Sequence, residues 1–341
     1  MPESSFDKAL ASIGSFRVAS ILIALTGLLG LSSCGSAPKA GAEPLRIATY
    51  HWPGSYWIDV ADRKGWFRDA GLDVQRIDVD GAYFHALDEV VNGKIDAMGF
   101  PEYDLVKRVA DGHDLVGVAV IDYSSGAEGL VAKPGIHSLR DLKGKRLALY
   151  RGSYLEYLLS ILAEREGVDI GDIVLVDRSG DASVDDFKAG RVDAIFLWEP
   201  YVSYAVAAGG VTLFSTADTP GLSYSVFALR GEYIRQHREQ VAALMRVWDR
   251  TERWVREHPQ EACGMVAASL KQPPDSTCGL MRTVRILDLA DNERAFSYAA
   301  GFESLHGSWR RMNDFMLETG EVARRVDSPP HLDSEFIRML E

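Results

Sequence analysis

One internal repeat dictates the kind of fold open to this chain. Gly93-Lys-Ile-Asp-Ala97 returns as Gly190-Arg-Val-Asp-Ala194, an offset of 190 − 93 = 97 residues. At the same offset Glu102 falls on Glu199, Ala110 on Ala207 and Gly112 on Gly209. Each copy follows a helical pattern and leads into an apolar strand with a glutamate at its carboxyl end. Repetition at a fixed spacing signals two similar structural units.

The pattern around the repeat alternates strand with helix. Residues 45–50 read as a strand and 56–70 as a helix closed by Gly71, with Trp57 and Trp66 on its core side. Strands at 72–77, 95–100 and 115–121 alternate with helices near 84–91 and 103–110. The same order restarts at 146–150 and runs through 154–165, 173–176, 184–189 and 194–197 to a helix from Tyr201. Beyond Gly231 the pattern is mainly helical. Such alternation defines an α/β fold of mainly parallel sheets flanked by helices. In open α/β sheets ligands bind beyond the carboxyl ends of the strands. Glu102 and Glu199 therefore either face a shared cleft or cap the helices that follow them.

Charge and cysteine content narrow the function. The 341 residues are long enough for about two cores. A net charge of −12 argues against nucleic acid as partner, since its binders carry a basic footprint. Cys263 and Cys278 flank Lys-Gln-Pro-Pro-Asp, which can turn the chain back; they read as a disulfide or as two small buried hydrophobes. Neither sits among histidines, so no metal site is expected.

The amino-terminal segment supplies an address. Lys8 and Arg17 precede an uncharged run over 18–31, shorter than the roughly twenty residues that span a bilayer. That is the layout of a secretory signal. Leu31-Ser-Ser-Cys34-Gly35 resembles the lipobox of bacterial lipoproteins. The expectation is a signal peptide over 1–33, lipidation of Cys34 and a flexible tether over 34–44. The protein would then sit outside the cytoplasm, held to a membrane by lipid.

A family resemblance follows from an ordered set of motifs. Leu45-Arg-Ile-Ala, Trp52-Pro-Gly54, Lys64-Gly-Trp-Phe67 and Ala70-Gly-Leu-Asp-Val74 open it. Asn92-Gly-Lys-Ile-Asp-Ala97, Asp141-Leu-Lys-Gly-Lys-Arg146, Arg151-Gly-Ser153, the second repeat copy and Trp198-Glu-Pro-Tyr201 continue it. Together they resemble periplasmic substrate-binding proteins of ABC importers, in the nitrate/taurine/aliphatic-sulfonate and thiamine-precursor branch. The resemblance implies a two-lobed periplasmic-binding-protein type II fold with the ligand cleft between lobes. Lobe one would comprise 45–133 plus 218–341, and lobe two, inserted, 134–217. Strands at 129–133 and 223–229 would cross between them. It also implies no catalysis and no cofactor. The expected partners are a small-molecule solute and a permease with its ATPase, for a monomeric binder that captures solute by hinge closure.

Loops at the strand ends nominate the ligand contacts. Trp52, Tyr56, Tyr83, Tyr154 and Trp198 offer aromatic faces. Glu102, Asp122 and Glu199 offer negative charge, and Ser124 and Ser125 offer hydroxyls. Gly152 and Ser153, at a helix start beside Arg151, offer an anion site. Three candidate carboxylates against one arginine favour a nitrogenous ligand, such as an aminopyrimidine, an amine or a zwitterion. The alternatives are a sulfonate, taurine or nitrate binder, a ligand-sensing co-receptor, and a pyrimidine-synthase-like enzyme on the same fold.

Overall fold

Largely apolar runs such as Ala97–Pro101 and Glu128–Ala132, the second headed by a glutamate, build strands that are buried on both faces. The computed structural model describes residues 43–178, 180–219, 221–222 and 224–340. The expected leader, Cys34 and the tether up to residue 42 lie outside the described residues. The chain lays down β1 (Leu45–Thr49), β2 (Val74–Asp78), β3 (Ala97–Pro101) and β4 (Leu115–Ser124) in a first sheet. It passes to a second sheet through β5 (Glu128–Ala132), β6 (Arg146–Leu149), β7 (Val174–Asp177), β8 (Ala194–Trp198) and β9 (Val211–Ser215). It returns as β10 (Tyr224–Arg230) and β11 (Val284–Ile286). The strand orders are β11-β4-β10-β3-β1-β2 and β7-β6-β8-β5-β9.

β1, β2 and β3 are parallel, as are β6, β7 and β8. The returning strand β10 inserts antiparallel between β3 and β4. Likewise β5 inserts antiparallel between β8 and β9. The family resemblance makes 129–133 a crossover strand between lobes; β5 (Glu128–Ala132) makes its hydrogen bonds in the second sheet, so the chain changes sheets at 125–127. The single helix expected over 56–70 is two, Tyr56–Arg63 and Trp66–Asp69, because Gly65 turns left-handed between them (φ 74°). Trp57 still packs into the core, edge-on to Phe67 and Phe227.

The repeated motif has a physical reason. Gly93 and Gly190 end their helices in the left-handed region, at φ 76° and 71°. In the first sheet, the Arg46 backbone N–H donates to Asp96 Oδ2 at 3.0 Å. The Arg46 guanidinium donates to both Asp96 oxygens, at 2.9 and 2.8 Å, and to the Gly93 carbonyl at 2.8 Å. In the second sheet, Arg146 donates from its backbone to Asp193 at 2.8 Å and from its guanidinium to the Gly190 carbonyl at 2.9 Å. Each copy thus clamps the strand that follows it to a parallel neighbour in its own sheet, β3 to β1 and β8 to β6.

The two clamps differ in burial. Asp96 is buried and takes a second arginine, Arg230 of β10, at 2.6 Å. Burial pushes its carboxyl up, but the bonds from Arg46 and Arg230 outweigh that and hold it below the ordinary range. Asp193 is only half-buried and has one arginine. After β10 the chain is helical, and a disulfide joins Cys263 of Pro259–Leu270 to Cys278 of Pro274–Met281, with Cα atoms 5.2 Å apart.

Asp96→Asn should therefore cost about 2–3 kcal/mol in urea unfolding, and Asp193→Asn under about 1 kcal/mol. Equal losses would contradict the clamp as described.

Candidate functional site

The carboxyl ends of the parallel strands of both sheets converge on one cavity of about 660 Å³. Tyr50, His51 and Trp52 reach it from the end of β1, and Asp80 and Gly81 from beyond β2. Pro101 closes β3, and Asp104 stands in the first turn of the helix after it. Tyr83 and Phe84 open the helix Tyr83–Val91. From the second sheet come Glu128 at the start of β5, Ser153 and Tyr154 after β6, Gly180 after β7, and Trp198 to Tyr201 after β8. Gln272 completes the wall.

Two buried carboxylates define its chemistry. Asp104 Oδ2 accepts the Tyr83 hydroxyl at 2.6 Å. Glu128 Oε1 accepts the Tyr154 hydroxyl at 3.1 Å, and its Oε2 the Thr216 hydroxyl at 3.1 Å. Ser124 and Thr216 share a 2.6 Å hydroxyl contact that fixes this arrangement. Neither carboxylate forms an ion pair among the described residues. Burial pushes Asp104 up to about 6, and Arg108 and Lys107 on its own helix offset this only from a distance. Burial likewise pushes Glu128 up, against the hydroxyl groups that lower it. Among the described residues lining the cavity there is no lysine or arginine. His51 is the sole basic side chain there; burial lowers its pKa, and the Tyr56 hydroxyl contacts its Nδ1 at 3.0 Å.

Aromatic rings fill the remaining wall. Tyr50 meets Tyr83 edge-on with centroids 5.4 Å apart, and Trp198 meets Tyr201 the same way at 6.1 Å. Phe84, on the first-sheet side, stacks on Tyr150 after β6 at 4.1 Å, spanning the two sheets beside the cavity.

The structure gathers half of the expected contacts. Trp52, Tyr83, Ser153, Tyr154, Trp198 and Glu199 line the cavity. Glu199 also accepts Ser203 N–H and hydroxyl bonds at 3.1 and 2.9 Å, so it caps its helix as well. Asp122 stands behind the wall, accepting Trp52 Nε1 at 2.9 Å and the Ser225 hydroxyl at 3.0 Å. A Cβ on Gly54 would come within 1.6 Å of Asp122 Oδ2, so only glycine fits beside it.

Tyr56, Ser124 and Ser125 do not line the cavity; the first two support His51 and Glu128, and Ser125 donates its N–H to the Thr283 carbonyl. Glu102 turns away entirely and accepts the Ser308 hydroxyl. The anion site expected at Gly152 is filled from within, because Gly152 N–H donates to Glu156 at 2.9 Å. The sequence reading missed Glu128, Asp104, Tyr50 and Phe84. For Glu128 the signal was its place at the head of a crossover strand, directly before Gly129. Among the described residues no cluster of three or more His, Cys, Asp or Glu side chains is arranged to hold a metal ion.

The two α/β sheets, with one aromatic, acidic cavity at their facing strand ends, form a fold of the periplasmic-binding-protein kind. A model of the NMT1/THI5-like family matches residues 52–262, and the chain belongs to that family. A Bacillus subtilis (strain 168) relative named for aliphatic sulfonates binding is 25% identical over 286 residues, 82% of this chain and 83% of the relative. The periplasmic aliphatic sulphonate binding protein SsuA from Escherichia coli has a similar structure (TM-score 0.71, 20% identity, 86% of this chain and 92% of that one). The desulfurization enzyme DSZB shares the fold too (TM-score 0.61, 15% identity, 88% and 99% covered). At such identities the structural likenesses establish fold alone.

Raised carboxyl groups make stability depend on pH. Burial pushes Glu102 up to about 8 and Asp122 up to about 7, and Glu252 well above its ordinary value. Between the ordinary carboxylate range and these values the folded chain binds more protons than the unfolded one, so stability falls as pH rises. Half-buried His51 and buried His306 act the other way, but only below their ordinary value of 6.5. The ligand-free melting temperature should therefore fall steadily from pH 6.5 to 8.5. A flat or rising curve would contradict the burial of these acids.

Proposed function

We propose that the protein is the extracytoplasmic solute-binding component of an ABC importer, and that its ligand is a small nitrogenous molecule carrying positive charge or several N–H donors. The observation that carries this reading is the cavity wall: buried Asp104 and Glu128, rim acids Asp80 and Glu199, seven aromatic rings and no lysine or arginine among the described lining residues. A buried carboxylate without a cation costs free energy that a cationic ligand recovers. Rings around it add cation–π attraction. An aminopyrimidine or an amine meets both demands, and a volume of about 660 Å³ suits an organic solute.

Binding then works by bridging. Trp52, Tyr83 and Asp104 hold the solute from the first sheet, and Tyr154, Trp198 and Glu128 from the second. The bridged arrangement has more contacts than the open one, so the lobes close on the ligand and present a composite surface to the permease and its ATPase. No bond in the solute is made or broken. Lipid on Cys34 and the tether behind it would keep the binder at the membrane beside its transporter.

The competing reading takes its support from the relatives named for sulfonates. Calorimetric titration with 4-aminopyrimidine and with ethanesulfonate separates the two. The nitrogenous reading predicts binding of the aminopyrimidine alone, weaker by roughly thirty-fold or more in Glu128→Gln. Affinity should also fall as pH drops through about 6, where Asp104 takes up a proton. Binding of ethanesulfonate that tightens on acidification would overturn this reading in favour of a sulfonate binder.

A further inference from the structure

A buried carboxylate demands hydrogen bonds and opposite charge separately, and the cavity supplies only the first. Asp104 and Glu128 both line it and are more than nine-tenths buried, at 7% and 2% exposure. Asp104 Oδ2 accepts the Tyr83 hydroxyl, and Glu128 accepts the hydroxyls of Tyr154 and Thr216. Every one of these donors is neutral. The two cations on the helix that carries Asp104 are engaged elsewhere: Arg108 pairs with Asp88 at 3.1 Å, and Lys107 Nζ donates to the Glu321 carbonyl at 3.3 Å. Half-buried His51 has a lowered pKa and is neutral at the pH where both acids are charged.

The two acids also stand on different walls. Asp104 lies in the first turn of the helix after β3 of the first sheet, whereas Glu128 opens β5 of the second. A single cationic centre seated on either acid leaves the other bare. Two centres joined by an apolar linker reach both. The rest of the wall suits such a linker, because Tyr50, Trp52, Phe84 and Trp198 present rings. Methylene groups pack on those faces, and ammonium groups gain cation–π attraction from them. A volume of about 660 Å³ leaves room for an elongated solute. Asp80 and Glu199 add two further negative charges at the rim, a field that draws in a doubly charged cation most strongly.

We propose that this cavity selects dications: a solute with two separated cationic nitrogens, such as an alkyl diamine, seats one nitrogen on Asp104 and the other on Glu128. The inference rests on the nitrogenous reading of the ligand and narrows it. A neutral ring rich in N–H donors repeats the hydrogen bonds that hydroxyl groups already supply, whereas a dication brings the charge that both acids lack.

The test is calorimetric titration of the full chain at about pH 7.5, above the value of about 6 to which burial raises Asp104. The terminal diamines of propane, butane and hexane are compared with the monoamines of equal length, beside 4-aminopyrimidine and ethanesulfonate. The best diamine should bind at least about a hundred-fold more tightly than its monoamine. In D104N and in E128Q that preference should shrink to under about ten-fold, because each variant keeps one acid for one nitrogen. If the acids served folding alone, diamine and monoamine would weaken together and the preference would survive in both variants, which would overturn the proposal. A wild-type chain that binds no diamine more tightly than its monoamine would overturn it too, and that comparison needs no variant to fold. Binding of 4-aminopyrimidine in that case would leave the nitrogenous reading standing. Ethanesulfonate bound with no amine bound would overturn both.

Discussion

A carboxylate buried without a cation is tolerated only where something else meets its charge, and the cleft is arranged around two of them. Asp104 is held by the Tyr83 hydroxyl, and Glu128 by those of Tyr154 and Thr216. Hydroxyl groups orient a carboxylate without neutralising it, which leaves the cavity wall acidic. One acid stands on each sheet. Under the proposed function a ligand that satisfies both would touch both, and affinity and closure would share one cause.

That arrangement depends on how the chain crosses between sheets. Strands β5 and β10 each insert antiparallel among otherwise parallel neighbours. Glu128 stands at the head of β5, and Ser225, which steadies Asp122, lies in β10. The crossover strands therefore carry site chemistry as well as connection. The repeat clamps, Arg46 on Asp96 and Arg146 on Asp193, lie within single sheets and hold each as a unit on either side of the crossovers.

Much of this was legible in sequence. The repeat motif makes two simple demands, a left-handed turn at its glycine and an arginine on the neighbouring parallel strand for its aspartate. Fold class followed from periodicity, and four of the seven cavity rings, Trp52, Tyr83, Tyr154 and Trp198, from loops at strand ends, whereas Tyr50 and Phe84 did not. The acids were harder to read, because a strand end shows where a residue sits and not where its side chain points. Glu102 and Asp104 share one helical turn, yet burial against Ser308 takes the first away from the cavity while the second lines it. Gly152 looked like an anion site because nothing local reveals that Glu156, one turn along, fills it. Kinship with proteins named for sulfonates is similarly silent about the wall. The sheets are shared across the family, whereas the cavity is lined by side chains that a sequence about 25% identical is free to change.

The most direct test is mass spectrometry of the small molecules released by denaturing the full chain purified from its native host. The account predicts a nitrogen-bearing solute, cationic or rich in N–H donors at neutral pH, near one equivalent per chain. A sulfonate released at that stoichiometry would contradict it.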